Sequence, residues 1–191
     1  MSKIYKTAGV DEVGRGCLAG PVFAAAVMLN KNINTDDIKD SKKIPFEKRV
    51  LLSKYIKKNS TYAIGSASVE EINKINILNA SLLSMQRAIK KLKNKPTMVY
   101  IDGIFSPKNI NMKSKTFIKG DEKIMCIAAA SIVAKATRDL FMIKLAKKYP
   151  GYNWNKNFGY GTASHIKGLK KYGITKHHRK KFKPIHKMLI G

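Results

Sequence analysis

Apolar clusters in the first third of the chain predict strands. Residues 4–13 and 21–29 are short apolar stretches, and the second, PVFAAAVML, is too apolar for a surface strand. The glycine-rich turn GRGCLAG joins them. A charged loop follows, and Pro45 opens a helical stretch toward Lys57. Residues 61–68, TYAIGSAS, suit a third strand, so three strands are predicted before the first long helix.

A change to helical spacing follows the third strand. Ser68 and Glu71 form the pattern of a capping box, in which each side chain accepts a hydrogen bond from the other residue's backbone N–H. Apolar residues then recur at helical spacing and predict a helix over 77–93. The stretches TMVYIDG and KTFIKG are apolar enough to form two further strands, each ended by glycine.

The second half of the chain is predicted to be mainly helical. Asp121 can cap a long helix over 123–149, which Pro150 ends, and a short helix is expected over 163–172. Early consecutive strands suggest an antiparallel portion of a sheet, and strands linked by helices suggest a parallel portion. The expected fold is therefore α/β, a mixed sheet flanked by helices, in a single domain spanning residues 1–191.

The amino-acid composition is ordinary for a protein with a buried core. The hydrophobic share is 44%, and the two cysteines, Cys17 and Cys126, lie far apart in apolar runs, as buried thiols in a reducing compartment would. No targeting segment is evident, and the longest uncharged run, 16–30, is shorter than the ~20 apolar residues that span a bilayer. We expect a cytoplasmic protein without a membrane partner.

Net charge is the informative total. Lys and Arg number 38 against 12 Asp and Glu, which gives +26 and predicts a polyanionic partner, most often nucleic acid. The alternative is compositional bias, because only five of the 38 are arginine and Lys, Ile and Asn are abundant throughout, as in an AT-rich genome. We assign part of the charge to each cause.

The scarcity of acids allows each one to be considered. Eight lie in a polar loop or near predicted helix starts, where the helix dipole favours them; Asp121 and Glu122 are among these. Four are not explained in this way. Asp11 and Glu12 end the first strand and Asp102 ends the fourth, whereas Asp139 lies within the long helix on a stripe with Ser131 and Lys135.

Paired strand-end carboxylates predict a site for divalent cations. If neighbouring strands bring Asp11 and Asp102 together, their repulsion requires compensation, which cations with oxygen ligands provide. Two ions ~3.5–4 Å apart can activate a water and stabilise a leaving oxygen at a phosphate. The alternatives stay open at this point, since Asp11 could cap a turn, Asp102 could form an Asx turn, and Asp139 could pair with Lys135.

Seven motifs are spread over nearly the whole chain. They are DEVGRG at 11–16 followed by LAGPV, DSKKI at 40–44, YIDG at 100–103, KGD at 119–121, SIVAKATRD at 131–139, FGYGT at 158–162 and HRKKFKP at 178–184. Together they resemble, in the same order, the motifs of the type II ribonucleases H, which cut RNA in RNA–DNA hybrids. The first motif is highly specific.

The resemblance implies a fold and a metal site. The fold would be ribonuclease-H-like, a five-stranded mixed sheet with helices, plus a helical, basic C-terminal portion from about residue 150. The acids Asp11, Glu12, Asp102 and Asp139 would bind two Mg²⁺ or Mn²⁺ ions and carry catalysis. The reaction would be hydrolysis on the 5′ side of a ribonucleotide, leaving 3′-hydroxyl and 5′-phosphate ends.

The resemblance also implies a set of substrate contacts. A glycine-rich loop lets backbone amides approach a phosphate and a ribose 2′-OH, and an aromatic ring stacks on the following deoxyribose. Lysine and arginine would contact backbone phosphates of the RNA–DNA hybrid or ribonucleotide-containing duplex. The residues are Gly14, Arg15 and Gly16 in the loop, Tyr160 for stacking, and Lys42 and Arg179 for phosphates.

Two departures and two alternatives accompany the resemblance. Phe158 stands where the family has lysine and Lys181 where it has serine, which bears on the strength of junction preference. A type III ribonuclease H shares the acids, but it usually carries an extra N-terminal domain, and it needs longer RNA runs. A non-catalytic basic nucleic-acid binder is the other alternative. We expect a monomer, and the motifs identify no sliding-clamp partner.

Overall fold

The computed structural model of the chain describes residues 6–38 and 44–190. At its centre is one five-stranded sheet in the order β3-β2-β1-β4-β5. The strands are β1 (Thr7–Val13), β2 (Val22–Leu29), β3 (Ser60–Ala67), β4 (Met98–Asp102) and β5 (Lys113–Phe117). β1, β2 and β3 pair antiparallel, whereas β4 runs parallel to both β1 and β5. The predicted mixed sheet is confirmed.

Seven helices are described around the sheet, in the part of the chain that the structure covers. They are α1 (Phe46–Asn59), α2 (Val69–Lys91), α3 (Gly120–Lys123), α4 (Met125–Lys148), α5 (Trp154–Asn157), α6 (Ala163–Tyr172) and α7 (Lys183–Ile190). α2 begins at the predicted capping box, earlier than expected, and continues through a kink at Asn76. Among the described residues no helix is both long and apolar enough to cross a membrane.

One cap prediction is wrong. The residue that caps α4 is Ile124, and Asp121 lies upstream in the short helix α3, which follows a left-handed Lys119. The short helix α3 lies between β5 and α4, so Asp121 is not at the N-terminus of the long helix. Its side chain is buried and faces the sheet.

Both faces of the sheet are covered. Along β2, Ala25, Val27 and Leu29 pack against α1 and α4, while Ala24, Ala26 and Met28 pack against α2. This explains why β2 is apolar without alternation, since side chains on both sides enter a core. Small residues let α4 lie close to the sheet, and a Cβ at Gly9 would overlap the backbone of Cys126.

The C-terminal helices pack around a separate aromatic cluster. Tyr152, Trp154, Leu169 and Ile185 form its buried centre, together with Met142 and the turn after β1. The expected helical C-terminal portion is therefore observed, and it lies against the glycine-rich turn.

Candidate active site

Two carboxylates meet at the C-terminal ends of β1 and β4. The strands are parallel neighbours, with Val10 opposite Ile101 in the register. Both of those residues belong to the core on the α2 side. Alternation therefore directs Asp11 and Asp102 to the opposite face, toward α4. Glu12 follows at the strand end and lines the same pocket, as predicted, and its backbone N–H donates to Asp11 Oδ1 at 2.7 Å.

The fourth acid of this pocket is Asp121, which the sequence reasoning assigned to a helix start. It is buried and lines the pocket with the other three. The N–H of the preceding Gly120 donates to Asp102 Oδ1 at 2.7 Å, which ties the two segments together. The signal that could have found it is the KGD motif, because it places an acid beside a glycine shortly after a strand, as YIDG places one at a strand's end.

Asp139 does not line this pocket, so its predicted metal-ligand role is corrected. The side chain is fully buried, and its two oxygens accept from Lys135 Nζ at 2.7 Å and Arg49 Nη2 at 3.1 Å. The physical reason is that each oxygen already has a cation as its partner, and one of these cations, Lys135, stands between Asp139 and the pocket that it lines. The alternative that pairs Asp139 with Lys135 is the observed one.

The pocket concentrates four carboxylates, and the basic side chains that line it with them are Arg15 and Lys135. Burial raises the pKa of Asp11 well above its ordinary value, and Glu12, Asp102 and Asp121 raise it further, while a hydrogen bond from Ser131 opposes the shift. Burial also raises the pKa of Glu12, against the opposing effect of Arg15 at 3.2 Å. Each additional ionised carboxylate therefore costs free energy until a cation arrives.

The four acids do not form a closed metal site. No three His, Cys, Asp or Glu side chains among the described residues form a ready-made metal cage, although the four acids line one pocket of about 250 Å³. Carboxylate oxygens are hard donors, which suit Mg²⁺ and Mn²⁺, and Mg²⁺ binds through one or two carboxylates while keeping several waters. The donor chemistry and the excess negative charge fit divalent ions.

The predicted substrate-contact loop borders the acids. Gly14, Arg15, Gly16 and Tyr160 all line the same pocket, and the Tyr160 side chain is partly exposed. Gly14 has φ +95°, and a Cβ there would overlap the side chain of Arg138 beneath it, so the position requires glycine on two grounds.

Two predicted phosphate contacts have different outcomes. Arg179 is fully buried and donates to backbone carbonyls of the glycine-rich turn, so a direct phosphate contact is wrong because its guanidinium is not accessible. Lys42 lies outside the described residues. Of the two departures from the family pattern, Lys181 is exposed, and Phe158 stacks on Phe46 with ring centroids 5.9 Å apart.

Comparison with known proteins identifies the family of the chain. The sequence model of the family described as Ribonuclease HII matches residues 8–187. Curated relatives named Ribonuclease HII include those of Pelagibacter ubique, 58% identical over 95% of this chain and 98% of the relative, and Roseobacter denitrificans, 47% identical over 96% and 93%.

A solved structure extends the likeness to the fold. The crystal structure of ribonuclease H2 from Pyrococcus horikoshii matches with a TM-score of 0.78 and 26% identity, covering 95% of this chain and 96% of that one. The matches span the sheet, the acid-lined pocket and the C-terminal helices. The chain therefore belongs to the ribonuclease HII family and is a ribonuclease H, a metal-dependent endonuclease.

Proposed function

We propose that the protein hydrolyses the RNA strand of RNA–DNA hybrids and nicks duplex DNA on the 5′ side of an embedded ribonucleotide, leaving 3′-hydroxyl and 5′-phosphate ends. The observation that carries the proposal is the juxtaposition of two groups around one pocket. The four acids Asp11, Glu12, Asp102 and Asp121 lie beside the glycine-rich loop and Tyr160. A phosphate at the acids is therefore within reach of the groups that would read the adjoining sugars.

The acids would hold two Mg²⁺ or Mn²⁺ ions. Asp11 is central to the set, because its charge interacts with those of Glu12, Asp102 and Asp121. When bound, such ions supply a nucleophile at neutral pH and stabilise the leaving oxygen of a phosphodiester. The hydrogen bond from Gly120 N–H to Asp102 holds that carboxylate in a fixed orientation before any ion binds.

The glycine-rich loop would read the ribonucleotide. Gly16 has open space where a Cβ would be, so a substrate sugar or phosphate can approach the backbone closely. A 2′-OH is the group that reports RNA at a given position. Tyr160 would stack on the following deoxyribose, with the Lys135 Nζ 5.7 Å from its ring centroid on the pocket side.

Lysines elsewhere on the surface would hold the duplex through its phosphates. Contacts of this kind fix the register of the protein on nucleic acid and carry no base-sequence information. The enzyme is therefore proposed to select sugar chemistry and duplex shape and to be indifferent to base sequence.

Three substrates test the proposal with the purified protein. They are an RNA–DNA hybrid, a DNA duplex with one ribonucleotide and the same duplex in all-DNA form, each with Mg²⁺, with Mn²⁺ or with EDTA. We expect cutting of the first two only, and only with metal, with the single cut mapped to the 5′ side of the ribonucleotide by end-labelled gels. Cutting of long RNA runs alone would indicate type III activity and overturn the proposed junction recognition.

A further inference from the structure

Arg179 occupies an unusual place for a residue in a basic tail. Its buried guanidinium lies beneath the glycine-rich loop, where Nη2 donates to the Gly14 carbonyl at 2.7 Å and Nη1 donates to the Arg15 carbonyl at 2.8 Å. Nε donates to the Gly20 carbonyl at 3.0 Å. One planar fork therefore holds three backbone carbonyls of the turn.

The backbone around Arg179 is fixed to the same turn. Residues 177–179 run beside 18–20, with the N–H of Arg179 donating to the Leu18 carbonyl at 2.8 Å. The guanidinium is thus anchored at its base as well as at its tip. A side chain held in this way sets the position of the carbonyls that it contacts.

Peptide geometry carries the effect to the pocket. In a trans peptide unit the C=O and the next residue's N–H point in opposite directions. Because the carbonyls of Gly14 and Arg15 point toward Arg179, the N–H groups of Arg15 and Gly16 point away from it, on the side where the loop lines the pocket. Neither N–H donates to an acceptor among residues 6–38 and 44–190. They are available to a substrate oxygen.

The same segment supports Tyr160. The ring of His178 contacts His165, with Nε2 atoms 3.1 Å apart, and His165 Nδ1 donates to the Tyr160 carbonyl at 2.9 Å. The neighbouring residues 178 and 179 therefore reach both sides of the proposed sugar-reading surface.

We propose that Arg179 is a positioning residue that aims the Arg15 and Gly16 amides at the ribonucleotide and holds them in register with Tyr160. The inference rests on the proposed function and deepens it. It predicts that substrates differ in their sensitivity to Arg179. A single-ribonucleotide duplex offers one productive register, whereas a hybrid offers a 2′-OH at every step, so misplaced amides harm the first substrate more.

Arg179→Lys distinguishes positioning from a charge effect. Lysine keeps the charge but offers one flexible point charge in place of a three-way fork. We expect kcat/KM on the single-ribonucleotide duplex to fall about 10- to 100-fold, as small misplacements at active sites do, with a clearly smaller loss on the hybrid. The ratio of the two values is the readout, because a loss of folded enzyme cancels in it.

Lys180→Met is the matched control for Arg179→Met. Lys180 is exposed beside Arg179, and its replacement removes the same charge from the same segment. The control should keep the wild-type ratio. A wild-type ratio in folded Arg179→Lys would overturn the inference. The inference would also be overturned if Arg179→Met alone lost one phosphate contact. That loss would appear as a slope lower by about 0.9 in a log–log plot of the duplex binding constant against salt concentration.

Two further measurements keep the inference testable if Arg179→Lys does not fold. Arg179→Gln, neutral but still a donor, should show an intermediate ratio. In the unmodified protein with Ca²⁺, the amides of Arg15 and Gly16 should gain hydrogen-exchange protection on the single-ribonucleotide duplex and not on all-DNA; equal protection on both would contradict the inference. If the wild-type enzyme fails to nick the single-ribonucleotide duplex, the proposed function fails instead.

Discussion

Two carboxylate neighbourhoods lie near α4, one around Asp139 and one around Asp11, and the side chains around the buried negative charge differ between them. Asp139 is fully buried, and it is neutralised within the protein by Arg49 and Lys135. Asp11 is buried among three other acids, and burial and those charges raise its pKa. Asp139 has a cation on each oxygen, whereas four carboxylates share the pocket of Asp11 with Arg15 and Lys135. The crowding of like charges, and not burial alone, marks that pocket as the candidate metal site.

The largest expected difference between the neighbourhoods is in catalysis. Asp121→Asn should lower the cleavage rate about 1,000-fold, and Asp11→Asn and Asp102→Asn should do the same while duplex binding persists, because each removes a proposed metal ligand. Asp139→Asn should keep the rate per folded molecule within a few-fold. Single-turnover cleavage with fluorescence-based binding measures both. A folded Asp139→Asn as inactive as Asp121→Asn would restore Asp139 to the catalytic set.

The order of effects reverses for stability. Asp139→Asn leaves the buried Arg49 and the half-buried Lys135 without their anion, so the free energy of unfolding should fall by about 3–5 kcal/mol. Asp121→Asn removes repulsion with Asp11, so its cost in metal-free buffer should be clearly smaller. Urea titration with EDTA measures both variants, and a more stable Asp139→Asn would contradict the assignment of that ion pair.

Metal should stabilise the proteins that keep all four pocket acids. Mn²⁺ at about 100 times its dissociation constant should stabilise the wild-type protein by about 2.7 kcal/mol, which thermal unfolding detects. Asp121→Asn should respond much less to the same concentration, since a ligand is missing. Asp139→Asn, corrected for its lower starting stability, should respond like wild type; an equal response of all three proteins would place the ion elsewhere.

The smallest effect is the pH dependence of metal-free stability. Because the pKa of Asp11 is raised in the folded state, the folded protein binds that proton more tightly than the unfolded chain does. The contribution of Asp11 to stability is then present below its unfolded pKa and is lost as pH rises through its folded pKa. Asp11→Asn should therefore gain stability over wild type as pH rises from 4 to 8 in EDTA.

An exposed acid provides the control for that gain. Asp36 lies on the surface outside the pocket, and Asp36→Asn removes the same charge without changing the pocket. Thermal unfolding of the three proteins at each pH measures the difference. If the difference in stability between Asp11→Asn and wild type does not change with pH, the repulsion around Asp11 is relieved without metal.

The sequence predicted the sheet and three of the pocket acids because these follow local rules. Strand ends are visible in apolar runs, and Asp11 and Asp102 lie at such ends. Asp121 was assigned to a helix start because the helix dipole gives any such acid a sufficient local reason. Its true environment depends on the hydrogen bond from Gly120 to Asp102, which connects positions eighteen residues apart.

Arg179 was misjudged for a similar reason. The run HRKKFKP has the composition of a solvated tail, and nothing in its spacing separates the arginine from the lysines around it. Long-range backbone contacts, such as the pairing of His178 with Ala19, bring the segment to the glycine-rich turn. Local patterns predict which residues are charged, but long-range pairing decides which charge is buried.

The buried arginines limit how far this chain's composition can drift. Three of its five arginines, Arg49, Arg138 and Arg179, are inside the protein, each donating to backbone carbonyls, while lysine supplies nearly all of the surface charge. At these three sites lysine would lack the fork that spans several acceptors. Any drift from arginine to lysine in this chain is therefore opposed by the protein's own interior.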